Sequence, residues 1–178
     1  MCHHVDLLIF FVPIPLAILL TTRVGTAGKY QNQNGATSCK KCTAGKYQDS
    51  NLQTKCKDCG KGKYENSQGS SACKDCGSGT YQDTLGNSGC KSCAKGTYQN
   101  NNGQSNCKAC HRGNYQNQVG KSSCKACASG KAEPETGSSS CSQNCKCGYF
   151  CPTASVSNTA EVCGEGYYCP AGTASRLA

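Results

Sequence analysis

Residues 73–90 read CKDCGSGTYQDTLGNSGC, and this stretch decides the fold because its pattern recurs along the chain every 17 residues. We number the positions of the repeat 1 to 17 from its first cysteine, so that Cys73 stands at position 1 and Cys76 at position 4. The cysteine pairs are Cys39/Cys42, Cys56/Cys59, Cys73/Cys76, Cys90/Cys93, Cys107/Cys110 and Cys124/Cys127, and Cys141 continues the series. Such spacing predicts an array in which one small unit follows another.

Other residues also keep their places in the repeat. Glycine stands at position 7 throughout, tyrosine stands at position 9 until Ala132 replaces it, and glycine stands at position 14 except at Leu52. Glycine permits the positive φ angles that tight turns use, and no segment after residue 27 has apolar residues at helical spacing. The pattern predicts a small disulfide-rich fold: a rod-like array of short β-strands and turns, with almost no helix after the leader, in which each unit contacts mainly its neighbours.

The composition indicates that cross-links hold this fold together. The chain has 19 cysteines in 178 residues, and its large aliphatic and phenylalanine side chains from Gly28 onward are few: Leu52, Leu85, Val119, Phe150, Val156, Val162 and Leu177. So small an apolar set does not offset backbone ordering at about 1–2 kcal/mol per residue, whereas a bridge closing about fifteen residues contributes about 3 kcal/mol. We expect each tyrosine to pack over a bridge.

The cysteines predicted to form disulfides are Cys39, Cys42, Cys56, Cys59, Cys73, Cys76, Cys90, Cys93, Cys107, Cys110, Cys124, Cys127, Cys141, Cys145, Cys147, Cys151, Cys163 and Cys169. Disulfides persist in oxidising compartments.

The N-terminal residues point to the same compartment. An apolar run from Leu7 to Leu20 is shorter than the roughly 20 residues of a membrane span. Small residues at Gly25 and Ala27 allow cleavage after Ala27, although no Lys or Arg precedes the run. We predict a signal peptide at 1–27, no other transmembrane segment, and a protein that is secreted or on the extracellular cell surface.

The rest of the chain divides into two predicted regions. Residues 28–141 form the array of 17-residue repeats, and residues 142–178 form a second cysteine-rich repeat type in which cysteine spacing changes. Repeat arrays need terminal units with a distinct protective sequence, and neither end has one. We therefore expect the second region to be truncated and the chain to be a fragment of a longer repeat protein.

The pattern C-K-x-C-x-x-G-x-Y-Q-x-x-x-G-x-S-x, over about residues 25–141, resembles the Eph receptor-like cysteine-rich repeats, which are similar to tumour necrosis factor receptor modules. The stretches 147–152 and 163–174 look like the C-P-x-G-Y-Y-C-P-x-G-T repeats of protist and algal surface proteins. The resemblance implies an extracellular, disulfide-linked stalk or adhesion module and no kinase.

The same resemblance implies a sequential disulfide map, in which position 4 joins position 1 of the next repeat. The implied pairs are Cys42–Cys56, Cys59–Cys73, Cys76–Cys90, Cys93–Cys107, Cys110–Cys124 and Cys127–Cys141. This map leaves Cys39 without a partner, because Gly25 stands where its partner would be. Crossed pairing, such as Cys39–Cys56 with Cys42–Cys59, is the open alternative.

Other chemistries compete with the disulfide interpretation. The C-x2-C pairs, thirteen residues apart, come near the spacing of zinc ribbons, so an intracellular zinc-binding array is one alternative. A thioredoxin-like site needs a single C-x-x-C at a helix N-terminus, and a hydrolase needs a base, whereas His111 occupies a variable repeat position. We predict no enzyme, no catalytic residue, no metal and no cofactor.

One feature indicates binding. A lysine follows the first cysteine of every repeat, at Lys40, Lys57, Lys74, Lys91, Lys108 and Lys125, in a chain of formal net charge +9. These lysines are possible anion-binding residues, since equivalent repeat positions recur along an array. The expected partners are an extracellular protein or an anionic polysaccharide, not nucleic acid. The predicted function is a non-enzymatic extracellular structural or adhesion module, with a ligand-binding receptor ectodomain fragment as a second alternative.

Overall fold

The computed structural model describes residues 26–33 and 38–177. The predicted fold class is confirmed: these residues form short strand pairs and turns joined by disulfides, with no helix. None of the described residues therefore belongs to a helix able to cross a membrane. The predicted signal peptide, 1–27, lies outside the described residues except for Thr26 and Ala27.

Sixteen two-residue strands occur in the described residues, and each pairs with its neighbour along the chain. The strands are β1 (Lys29–Tyr30), β2 (Lys40–Lys41), β3 (Lys46–Tyr47), β4 (Lys57–Asp58), β5 (Lys63–Tyr64), β6 (Lys74–Asp75), β7 (Thr80–Tyr81), β8 (Lys91–Ser92), β9 (Thr97–Tyr98), β10 (Lys108–Ala109), β11 (Asn114–Tyr115), β12 (Lys125–Ala126), β13 (Lys131–Ala132), β14 (Gln143–Asn144), β15 (Tyr149–Phe150) and β16 (Glu161–Val162). In the antiparallel pair β3–β4, Tyr47 lies opposite Lys57. A hairpin thus joins positions 8 and 9 of one repeat to positions 2 and 3 of the next.

A glycine at position 7 makes the turn that precedes each hairpin. The Lys46 N–H donates to the Thr43 carbonyl oxygen at 3.0 Å, and Gly45 between them has a φ of +81°. Residues with a Cβ rarely adopt this left-handed conformation, whereas glycine does so without steric cost. The local fold of each repeat therefore follows from its own sequence.

The same glycines allow close approach between repeats. The described residues form two compact units, one reaching to Lys74 and including Thr84–Gly89, the other comprising Asp75–Asp83 and residues 90–177. In the second unit, a Cβ added to Gly96 would lie 1.9 Å from the carbonyl oxygen of Gly137, which is two repeats further along the chain. Contacts therefore also reach the second neighbour along the chain, because glycine has no side chain to keep the two backbones apart.

The buried centre of each repeat consists of disulfide sulfur and an amide or carboxylate side chain. The position-4 cysteines from Cys42 to Cys127 are fully buried, and the position-10 side chains are 1–2% exposed: Gln48, Glu65, Gln82, Gln99, Gln116 and Glu133. The position-9 tyrosines are only half-buried. The position-10 side chain therefore occupies the interior of the repeat, and the packing of the tyrosine over a bridge stays a prediction.

The bridges follow the sequential map within the array. Position 4 joins position 1 of the next repeat in Cys42–Cys56, Cys59–Cys73, Cys76–Cys90, Cys93–Cys107, Cys110–Cys124 and Cys127–Cys141, with a sequence separation of 14 each time. Among the described cysteines of the array, no crossed pair such as Cys42–Cys59 occurs. The expectation that Cys39 has no partner was wrong, because Cys39 is disulfide-bonded.

The C-terminal region keeps the repeat backbone but changes its bridges. The Gly130 N–H donates to the Cys151 carbonyl at 2.7 Å, just as the Gly113 N–H donates to the Glu133 carbonyl at 2.8 Å. Cys151 thus stands at position 10, in place of the buried Gln or Glu, and it bonds to Cys145 at position 4 of its own repeat. Cys163–Cys169 repeats this arrangement. A cysteine at position 10 redirects the bridge from the next repeat into the same one.

Cys147 requires a correction. We predicted that it forms a disulfide, but its thiol is free and exposed. It precedes Gly148 in the turn at position 6, where other repeats also carry exposed residues such as Lys95 and Arg112. A side chain at this position points to solvent rather than to the buried bridges, so its sulfur does not meet a partner cysteine.

Candidate functional site: a ladder of tyrosines and lysines

The predicted anion-binding lysines lie beside the tyrosine rings. Because position 2 lies opposite position 9 of the preceding repeat in each hairpin, the Lys108 ammonium sits 6.0 Å from the centroid of the Tyr98 ring. The same contact occurs at 5.8 to 6.0 Å for Lys57 on Tyr47, Lys74 on Tyr64 and Lys91 on Tyr81. Contacts of a cation with an aromatic ring contribute about 0.5–1 kcal/mol at exposed sites. We call the row of position-9 tyrosines and position-2 lysines, from Tyr30 and Lys40 to Tyr115 and Lys125, the ladder.

A polar residue at position 11 holds each ladder lysine from the side. The Nζ atom donates to a side-chain oxygen eight residues earlier in the sequence, at 2.7 to 3.1 Å: Lys40 to Asn32, Lys57 to Asp49, Lys74 to Asn66, Lys91 to Asp83, Lys108 to Asn100 and Lys125 to Asn117. The lysine is therefore positioned by its own hairpin. Lysine is otherwise a flexible point charge, so this bond restricts where the charge lies.

The choice of Asn or Asp at position 11 sets the local charge. Asp49 and Asp83 form ion pairs with Lys57 and Lys91. The hydrogen bond from Lys57 lowers the pKa of the Asp49 carboxyl, and the hydrogen bond to Asp83 raises the pKa of Lys91. These side chains are exposed, so solvent screens the pairs and they contribute little to stability.

The position-10 residue forms a buried polar brace that the sequence analysis missed. The Gln99 side-chain oxygen accepts from the Asn101 N–H at 3.0 Å, and its NH2 group donates to the Asn106 carbonyl oxygen at 2.8 Å. Gln48 and Gln116 make the equivalent bonds. These bonds satisfy the buried amide and tie the two sides of the loop together. The signal was present in the sequence, since this position holds only Gln or Glu in the array.

Two repeats use a carboxylate for this brace. The Ser67 N–H donates to the Glu65 carboxylate at 2.8 Å, which lowers the pKa of Glu65 despite its burial, and Lys74 at 3.3 Å acts in the same direction. For Glu133, burial is the largest influence and favours the neutral acid, but the N–H groups of Glu135 and Ser142 outweigh it and lower the pKa. Both carboxylates are therefore ionised at neutral pH.

These lowered pKa values predict loss of stability in acid. A folded-state pKa below the unfolded value stabilises the protein at pH above the unfolded value, about 4.3 for Glu, and this stabilisation is lost as the pH falls through the folded value. We expect the combined variant Glu65→Gln, Glu133→Gln to lose less thermal stability than the wild type between pH 6 and pH 3, because Gln already fills this position in other repeats. Thermal unfolding measured across this pH range tests it.

Glu135→Gln is the matched control, since Glu135 is exposed and its substitution should leave the pH dependence as in the wild type. An acid sensitivity of the double variant equal to that of the wild type would contradict the prediction.

Small notches lie next to the ladder. One of about 250 Å³ is lined by Tyr30, Thr43, Lys46, Lys55 and Cys56, and one of about 220 Å³ is lined by Tyr47, Gly60, Lys63, Ala72 and Cys73. The two sets are the same five repeat positions, one period apart. Both volumes fall below the range of about 300–1,000 Å³ that is typical of small-molecule pockets. The notches are therefore shallow depressions in the repeat surface and are smaller than typical small-molecule sites.

The cysteines of the C-x2-C pairs form disulfide bridges, so their sulfur atoms are not available as metal ligands. Within the part of the chain that the structure describes, no three His, Cys, Asp or Glu side chains group as metal ligands. The C-x2-C pairs that favoured the zinc alternative are joined by disulfides to other repeats, which argues against an intracellular zinc array. His111 is exposed on a turn.

Comparison with known proteins supports the interpretation of the repeat. A family model described as tyrosine-protein kinase ephrin type A/B receptor-like matches residues 45–89, 79–111 and 96–145, which together cover more than half of the chain. No significant match occurs among curated proteins. The matched residues include the ladder from Tyr47 to Lys125. The lysines and tyrosines of the ladder therefore belong to the part of the chain that matches the family.

Proposed function

Since the chain belongs to the tyrosine-protein kinase ephrin type A/B receptor-like family of cysteine-rich repeats, we propose that it is a secreted, non-enzymatic adhesion or structural module that contacts anionic polysaccharide through its ladder. Repeats of this family are an extracellular and non-catalytic type of module. The match concerns only the cysteine-rich repeats, so it does not imply a kinase domain in this chain.

The bridges support an extracellular location. Eight disulfides join described cysteines, and the buried residues of the repeats are mainly those cysteines and the polar braces. Without the bridges little apolar burial would remain to oppose chain entropy. Such a protein folds where disulfides form and persist, which fits export through the predicted leader.

The observation that carries the polysaccharide proposal is the pairing of the ladder lysines. Lys57, Lys74 and Lys91 each contact a carboxylate, from Asp49, Glu65 and Asp83. Lys40, Lys108 and Lys125 contact the neutral amides of Asn32, Asn100 and Asn117 instead. An amide holds the ammonium in place without cancelling its charge. Lys108 and Lys125 therefore present two oriented, uncompensated cations in successive repeats, which suits a linear polyanion.

Two matched variants test this assignment, with the full chain collected from the medium of expressing cells and heparin as the probe. Lys108→Gln with Lys125→Gln should weaken binding about tenfold at low salt, since each exposed pair contributes up to about 1 kcal/mol and salt screens it. Asp49→Asn with Asp83→Asn should strengthen binding, because Asn is already the position-11 residue of other repeats and frees Lys57 and Lys91. Affinity is read from the salt concentration at elution.

The outcomes separate the proposal from its alternative. Unchanged elution of both variants, or retention of the protein inside the cells, would contradict the proposal. Absence of heparin binding by the exported wild type would instead favour a receptor ectodomain that binds an extracellular protein.

A further inference from the structure

Positive charge is uneven along the array although the fold of the repeat stays the same. Residues 84–132 carry seven Lys or Arg and no Asp or Glu, whereas residues 38–83 carry eight Lys and five Asp or Glu. The earlier repeats have acids at positions 3 and 11, such as Asp58 and Asp49, where later repeats have Ala109 and Asn100. Since both kinds of residue occupy the same places, folding does not require the difference. The excess charge of residues 84–132 is therefore a property of their surface.

A backbone hydrogen bond places position 15 of each repeat beside position 10 of the preceding repeat. The Gln99 N–H donates to the Lys121 carbonyl oxygen at 3.1 Å, and the Gln82 N–H donates to the Gln104 carbonyl oxygen at 3.2 Å in the same way. Lys121 is the cation among the position-15 residues of the array, which are Gln53, Ser70, Asn87, Gln104, Lys121 and Ser138. The Lys121 backbone thus adjoins the segment 98–100, which contains a tyrosine of the ladder.

Lys108 and Lys121 are anchored on the same three residues. The Lys108 ammonium lies 6.0 Å from the centroid of the Tyr98 ring and donates to Asn100 Oδ1 at 2.9 Å. The Lys121 carbonyl accepts from Gln99, which stands between those two residues. Both lysines are exposed, and neither forms an ion pair with a described residue. Two uncompensated cations therefore meet at this segment.

No other described hairpin of the array combines these features. The ladder lysines Lys57, Lys74 and Lys91 each contact a carboxylate. Lys40 and Lys125 contact neutral amides, but position 15 of the facing repeat is uncharged there. Among the described residues, the ladder is therefore most strongly cationic at the segment 98–100.

The hydrogen-bond donors at this segment match a sulfate group. A lysine ammonium has three N–H donors, and Lys108 uses one of them on Asn100. Because Asn100 accepts that bond through Oδ1, its NH2 group remains a donor on the same exposed segment. A sulfate ester has three terminal oxygens, which can accept from two ammonium groups and one amide. A sugar carboxylate has only two oxygens for the same three donor groups.

We propose that Lys108, Lys121 and Asn100 form the strongest subsite of the ladder and bind a sulfate group of the polysaccharide. The inference rests on the proposed polysaccharide function and makes it more specific, because the ligand is a sulfated sugar chain rather than one that carries carboxylates alone. Lys121 sets the preference for sulfate, since Lys108 without it would have the same amide contact that Lys125 has on Asn117.

Removal of Lys121 tests the subsite, with the full-length exported protein and with heparin and fully desulfated heparin as the probes. Lys121→Gln should weaken heparin binding about fivefold at low salt. It should leave the weaker binding of desulfated heparin unchanged, because that chain keeps its carboxylates but has no sulfate for Lys121. Gln53 and Gln104 hold the same position in other repeats, so the variant is compatible with the fold. Isothermal titration calorimetry measures both affinities.

Lys61→Gln is the matched control, since it removes the same charge from an exposed lysine outside the ladder and should change heparin binding less than about twofold. A second comparison copies the subsite to the preceding repeat. Adding Gln104→Lys to Asp83→Asn gives Lys91 a neighbouring lysine and no carboxylate, and should strengthen heparin binding about fivefold relative to Asp83→Asn alone.

The outcomes separate the subsite from the general polysaccharide function. Equal effects of Lys121→Gln and Lys61→Gln on heparin binding would overturn the subsite, because only total charge would then matter. Equal weakening of heparin and desulfated heparin by Lys121→Gln would overturn the assignment to sulfate. In both cases heparin still binds the wild type and the polysaccharide function stands. A wild type that does not bind heparin would contradict that function and the subsite together.

Discussion

Replacing Gly96 by alanine is expected to destabilise the protein by about 4 kcal/mol or more, in the range reached by few single substitutions. The new Cβ would lie 1.9 Å from the Gly137 carbonyl oxygen, and the φ of +79° at this position is itself unfavourable for alanine by about 1–2 kcal/mol. Backbone cannot move aside as a side chain can, so the two repeats must separate. Thermal unfolding and amide hydrogen exchange of the repeats around Gly96 and Gly137 measure the effect.

Two other glycines give a graded comparison. At Gly86, with a φ of +69°, the nearest atom to an added Cβ is Asp58 Oδ1 at 2.9 Å, on a side chain that can rotate, so Gly86→Ala should cost only about 1–2 kcal/mol. Nothing lies within 4 Å of an added Cβ at Gly77, so Gly77→Ala should be nearly neutral. Equal stability of the Gly96 and Gly77 variants would show that the repeats do not interlock at this point.

Removal of one interior bridge is expected to have the next largest effect. The combined variant Cys93→Ala, Cys107→Ala opens a loop with a sequence separation of 14 and should lower the free energy of unfolding by about 3 kcal/mol. The loss is large because Cys93 is fully buried and the repeat has little other apolar material. Denaturant unfolding under non-reducing conditions measures it.

Cys147→Ala provides the control for this variant. The Cys147 thiol is free and exposed, so its removal should change the free energy of unfolding by less than about 0.5 kcal/mol. If the Cys93, Cys107 variant unfolded at the same denaturant concentration as the Cys147 variant, the bridges would not be the main stabilising element.

The repeat, its turns and its dependence on disulfides were all predictable from the sequence. The 17-residue period, the glycine at position 7 and the small number of large apolar side chains are local or additive properties. A glycine in a turn adopts positive φ whatever surrounds it, and chain entropy exceeds the available apolar burial in any arrangement of these residues. The family match to residues 45–145 rests on the same local pattern.

Only the tertiary structure decided which side chains meet. The position-10 brace was missed because a polar Gln or Glu after a tyrosine has no hydrophobic signature, and its burial depends on bonds to residues seven or nine positions away, as in Gln99 with Asn106. The lysines were recognised as a row, but their pairing with Asn or Asp follows from hairpin register. The free thiol of Cys147 and the altered bridges of the last repeats likewise follow from which positions face inward. Contacts between repeats depend on distances in space, and a period along the chain does not contain them.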